Sequence, residues 1–236
     1  MSVPGYYKTV YRAASVQELV RVGGLVRLPL TFFLSRFVMR PKGASWMPSL
    51  STDRSCAAQE LSESFWRATE TQRSSFSDLG FTECLFSKVK YHLNPMFLDT
   101  GGITYLHSNR AHIGLLIYGK LRVPRPINSI REHITISFVA TFDKGCLTFS
   151  NTKEHFDPMP NTKKVLVTSD SPARIYRRFV DCLQREGRRP RVFPSGESAL
   201  QWLDAASLEA FESRVQRGLF VKMSDEEVEQ ARGKMM

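Results

Sequence analysis

The stretch Arg131–Ser150, REHITISFVATFDKGCLTFS, decides the fold. Ile134, Ile136, Phe138, Ala140 and Phe142 fall on one side of an extended chain, and Thr135, Ser137, Val139 and Thr141 on the other. That is period-two alternation in β-branched and aromatic residues, the pattern of a strand with one apolar face. Asp143-Lys144-Gly145 then turns the chain, with Gly at a position that often needs positive φ, and Cys146 to Phe149 bring it back. The chemistry of this hairpin is apolar or hydroxyl, so it reads as scaffold, with function expected in what surrounds it.

Upstream, Phe81–Tyr91 reads as a strand, ended by Asn94-Pro95. Ile103–Ser108 and Ala111–Leu121 read as two more strands around Asn109-Arg110. A two-residue loop there would set His107 opposite His112. Ala111, Ile113, Leu115 and Ile117 form the expected core face, leaving Tyr105, His107, His112, Gly114 and Tyr118 on the other. Downstream, Lys163–Thr168 is the expected last strand.

Helices flank this region. Asp53–Thr71 reads as helical, with Leu61, Phe65 and Ala68 on one face. Ser171 is a good N-cap followed by Pro172, and Ile175, Tyr176, Phe179, Cys182 and Leu183 make an apolar stripe ended by Gly187. Ser195–Arg217 is a second helical stretch with an expected break near Asp204–Ser207 and core positions at Leu200, Leu203, Leu208, Phe211 and Val215. Ser224 and Glu227 cap a short last helix. The expected fold is therefore α+β. An antiparallel, meander-like sheet of about five to six strands (79–168) carries a C-terminal amphipathic helix on one face, with extra N- and C-terminal helices around it.

Residues 1–54 form a basic, apolar N-terminal arm ahead of a single α+β domain at 55–236, whose helical part is 171–232. Between Met1 and Thr52 there are seven basic residues and one acidic residue, Glu18, against a net charge of +10 for all 236 residues. Ser15 and Glu18 make a capping box for a short helix ended by Gly23-Gly24. The apolar run from Leu25 to Met39 is interrupted by Arg27, Pro29 and Arg36, too short for a transmembrane helix of about 20 residues. It reads first as packing on the domain, then as a membrane-surface or targeting segment. Cys56, Cys84, Cys146 and Cys182 form no CxxC pair, so reduced thiols and a cytoplasmic setting, with a peripheral place at a membrane surface as the variant, are expected.

Three candidate sites follow. Tyr105, His107, His112 and Tyr118 make a polar patch on one sheet face, where the His pair supplies only two of the three or four ligands zinc takes, so no metal is assigned. Arg174, Arg177, Arg178, Arg185, Arg188, Arg189 and Arg191 put seven cations in eighteen residues, a phosphate-binding composition. Glu154, His155 and Asp157 make a polar loop with the groups for acid–base work. No nucleophile elbow, phosphate loop or cofactor motif is present in the sequence. The expectation is a non-catalytic binding module with a basic surface for an anionic partner, either a membrane surface or nucleic acid. The alternative is a small-molecule-binding protein or hydrolase with a pocket between sheet and C-terminal helix.

Overall fold

A computed structural model describes residues 5–23, 42–47, 54–88, 97–123, 129–153 and 162–233. Its centre is a six-stranded sheet in sequence order: β3 (Phe81–Ser87), β4 (Phe97–His107), β5 (His112–Val123), β6 (Ser129–Thr141), β7 (Cys146–Ser150) and β8 (Thr162–Leu166), where β1 and β2 belong to a second sheet below. The hairpin forms as its alternation predicts. Phe138 pairs with Phe149, and Gly145 takes φ 86° while its carbonyl accepts a 3.1 Å hydrogen bond from Phe142 N–H. The fold is α+β. The sheet is antiparallel from β3 to β7, but β8 runs parallel to β7, Cys146 opposite Thr162. The meander therefore stops one strand early: eleven residues separate Ser150 from Thr162, length enough to carry the chain back to the start of β7.

The expected core face of β5 holds at Ala111 and Ile113, which are buried, but fails further along the strand. Leu116 and Tyr118 are fully buried, whereas Ile117 is 49% exposed. The physical reason lies before the sheet. Two short helices, α2 (Glu63–Ala68) and α3 (Glu70–Asp78), meet at the buried Thr69, in place of the single helix expected over 53–71. They set Phe65 and Phe76 on the sheet where Gly101 and Gly114 leave room; a Cβ at Gly114 would lie 2.5 Å from the Phe76 ring. Phe76 then stacks on Tyr105 at 4.5 Å between centroids and packs on Phe138 at 5.1 Å. Helix α4 (Pro172–Glu186) completes this layer with Ile175, Phe179 and Leu183, its Ser171 cap and left-handed Gly187 as the sequence predicts.

The opposite face carries one long helix, α5 (Gly196–Gln216), which is unbroken at 204–207. Its first half packs Ala199, Trp202 and Leu203 near Phe193, Leu106, Ile113 and Val139. Its second half joins a three-stranded sheet made of β1 (Gly5–Thr9), β2 (Lys42–Met47) and β9 (Phe220–Lys222). Phe211 meets Tyr7 edge-on at 4.8 Å and Phe220 at 5.7 Å. Helix α1 (Val16–Gly23) begins with the expected Ser15–Glu18 capping box, and the fully buried Glu18 also takes a 2.7 Å ion pair from Arg217. Lys8 pairs with Glu227 of α6 (Asp225–Gly233), so the two ends of the chain are bound together. The apolar run at 25–39 lies outside the described residues.

Gly114→Ala is expected to cost about 2 kcal/mol, because the stacked Phe76 ring cannot retreat. Gly119→Ala, where an added Cβ meets nothing within 4 Å, should fall within about 0.5 kcal/mol of the parent. Urea unfolding of both variants checks the contrast.

Candidate functional site

The structure brings together part of the sequence-predicted polar patch. His107 and His112 stand with rings 5.6 Å apart, and Tyr176 of α4 joins them. Tyr105 and Tyr118 are 2% and 0% exposed and belong to the aromatic layer instead. Tyr118 donates its hydroxyl to Glu132 at 3.0 Å. The four residues do not border a common cavity, since Phe65, Phe76 and α4 fill that face. Among the described residues no group of three or more His, Cys, Asp or Glu side chains is placed to hold a metal ion.

His112 has a defined tautomer. Asn109 Oδ1 accepts from Ala111 N–H at 2.9 Å, which turns the Asn109 amide nitrogen toward His112 Nδ1, 3.2 Å away. The Tyr176 hydroxyl lies 2.8 Å from the same nitrogen. Nδ1 is thus the acceptor and Nε2 carries the proton. Burial, reinforced by the neighbouring His107, pushes the His112 pKa down to about 4, and burial raises Tyr176 to about 12.

The arginines divide. Arg174, Arg177, Arg178, Arg185, Arg188 and Arg189 are exposed on or just beyond α4. Arg185 donates to the Asp181 carbonyl at 3.1 Å, and Arg188 lies 3.8 Å over the Phe142 ring and donates to the Lys144 carbonyl. Arg191 turns to the other side of the sheet. The polar loop with Glu154, His155 and Asp157 lies outside the described residues.

The feature that the sequence did not announce is on the face under α5. The helix is held to the main sheet at its start and to the small sheet at its end, and a cleft of about 700 Å³ opens between. Its floor is the hydroxyl side of the opening hairpin and its neighbours: Thr135, Ser137, Thr148 and Ser150, with Thr162 and Lys164 of β8. Its roof includes Trp202, Leu203, Ala206 and Phe211. Arg54, Lys164, Arg191 and Arg214 line it against Asp143 and Glu209, among the described residues. A smaller space of about 140 Å³ adjoins it through Leu115, Ile117 and Leu203.

Hydroxyl pairing keeps the floor ordered. Ser137 donates to Ser150 at 2.8 Å, both buried, and Ser150 Oγ accepts from Thr152 N–H at 3.1 Å. The Thr135 and Thr152 hydroxyls are 2.8 Å apart, with His133 Nε2 3.0 Å from Thr152. Cys146 Sγ contacts the Thr162 hydroxyl at 3.6 Å; like Cys56, Cys84 and Cys182 it is a half-buried free thiol. The hairpin is therefore both scaffold and cleft floor. Its run of Thr and Ser on one face was the available signal, since a hydroxyl-rich face is a poor match for closed apolar packing.

No protein-family model, curated protein or solved structure matches this chain. No helix among the described residues is long and apolar enough to cross a membrane.

A folded-state His112 pKa near 4 has a consequence for stability. The unfolded chain takes up the proton near pH 6.5 and the native state does not, so stability is retained above pH 6.5 and lost as pH falls toward 4. The expected loss from this group is about 2 kcal/mol, allowing for residual solvation of the ring. His112→Asn should flatten that part of the curve, as measured by denaturant titrations at stepped pH.

Proposed function

We propose that the protein is a non-catalytic binding module for a small amphipathic anion, held between the sheet and α5. The observation that carries this reading is the asymmetry of the two sheet faces. Over β3 to β6 one face is filled ring against ring, with a more open groove of about 650 Å³ only at its β8 edge beside α4, while the other face leaves about 700 Å³ under a helix anchored at both ends. That volume is in the range of small-molecule sites, about 300–1,000 Å³.

The lining supports the ligand class. Trp202, Leu203, Leu115 and Val139 offer apolar contact for a chain or ring. The hydroxyls of Thr148, Thr162 and Thr135 offer hydrogen bonds without fixed charge. Cations outnumber carboxylates four to two among the described lining residues, which favours a carboxylate, sulfonate or phosphate end. This reading takes up the small-molecule alternative expected from the sequence, with the pocket under α5 and not under α4, in place of the membrane surface or nucleic acid expected first.

The test is saturable binding of an anilinonaphthalene sulfonate and of a straight-chain fatty acid series, each against the corresponding uncharged alcohol. Micromolar affinity for the acids, weaker for the alcohols, is expected. Ala206→Trp fills the roof from a half-buried position and should abolish binding while leaving the melting temperature at or above that of the parent. Absence of saturable binding, or full affinity in Ala206→Trp, overturns the reading.

A further inference from the structure

We infer that the exposed face of α4 is a second, independent binding surface, one that takes the phosphate backbone of duplex nucleic acid without reading its sequence. The inference does not rest on the cleft, which lies on the other side of the sheet.

The first observation is how the charges are distributed. The ion pairs given by the described residues join Glu18 to Arg217, Glu132 to Lys120, Glu186 to Lys163, Glu227 to Lys8 and Glu229 to Arg232. None of these carboxylates is paired with Arg174, Arg177, Arg178, Arg185 or Arg189. Arg185 and Arg188 are steadied by backbone carbonyls, which orient a guanidinium without neutralising it. A row of like charges costs stability through mutual repulsion unless an anion is present.

Geometry supplies the second. Arg174, Arg177 and Arg178 sit at the start of α4 and Arg185 near its end, about 13 Å further along the axis. Arg188 and Arg189 follow just past the Gly187 cap. Two clusters at this spacing suit the two backbones that flank a major groove about 12 Å wide. Asp181, the carboxylate between them, would then stand over the groove and away from either row of phosphates.

The third observation separates this ligand from other polyanions. None of the large exposed apolar side chains lies on α4, so the face has nothing to insert into a bilayer. Tyr176 and Phe179 pack inward on Phe138, so no ring is offered for stacking on unpaired bases.

Fluorescence anisotropy with a 20-base-pair random duplex, titrated from 50 to 200 mM salt, tests the inference. With about five phosphates engaged, log K should fall against log salt with a slope of roughly −4 to −5. Replacing Arg174, Arg177, Arg178 and Arg185 with Gln should weaken binding at least about tenfold at 50 mM salt and reduce the slope to about −2. The control replaces Arg67, Arg122 and Arg131, exposed elsewhere, with Gln and should bind nearly as the parent does. Equal losses in the α4 variant and the control would overturn the assignment of the surface. Binding to phosphatidylserine vesicles without binding to duplex would overturn the choice of ligand, as would tighter binding to a single strand. Circular dichroism of the α4 variant confirms that a loss is not unfolding, and matching ligand affinity in the cleft separates this result from the cleft reading.

Discussion

Two phenylalanine rings seated on bare backbone organise this structure. Phe76 occupies the space that a Gly114 side chain would need, and Phe65 does the same at Gly101, where a Cβ would lie 2.5 Å from the ring. Because these rings reach the sheet itself, α2 and α3 come close enough for Tyr105 to stack and for α4 to close over Phe138 and Phe149. A side chain at either glycine would lift both helices. The layer is built from fully buried aromatics that interlock at right angles and in stacks, and each ring's position depends on its neighbours.

That closed layer determines what the other face can be. With the large rings committed to one side, the other presents hydroxyls, one valine and a cysteine from β6 and β7. Helix α5 cannot lie flat on such a surface along about 31 Å of length and bury apolar side chains throughout. It does so only at Ala199, beside Trp202 and Leu203, and turns its end to Tyr7 and Phe220 instead. The small sheet is thus the second support of a bridge. The Glu18–Arg217 pair locks that support to the helix end, and the fully buried carboxylate makes loss of its partner expensive.

What was legible in the sequence follows from which signals are local. The hairpin at 131–150 announces itself because alternation and a turn glycine lie within twenty consecutive residues. Helix α4 does so through its cap, proline and stripe. Phe76 was invisible because it is the one large apolar residue in TQRSSFSD, and a lone ring makes no periodic pattern. The burial of β5 was misread beyond Ile113 for a related reason: Gly114 and two tyrosines look polar until a ring from elsewhere fills the gap. The cleft was illegible because it depends on how α5 is held at each end, by residues some two hundred positions apart. The weak apolar periodicity of α5, with Leu200, Leu203 and Leu208 only half-buried, was its trace in the sequence.

Charge follows the same division of labour. The carboxylates that meet a basic partner do so mainly where the chain's ends or neighbouring strands must be tied: Glu18 and Glu227 at the junction of termini, Glu132 across β5 and β6, and Glu186 at the edge strand β8. The Lys163 side chain holds Glu186 below the usual carboxylate range, so that carboxylate is committed to the β8–α4 seam. Other basic residues among the described ones lie on surfaces that none of these pairs ties together. One such surface is the exposed face of α4 at Arg174, Arg177 and Arg178, where folding places little demand on residue type beyond helix propensity. Arginine and glutamine serve a solvated helix about equally well by that measure. Arg174, Arg177, Arg178 and Arg189, exposed on and just beyond this face, are therefore the residues on which the proposed duplex surface chiefly rests.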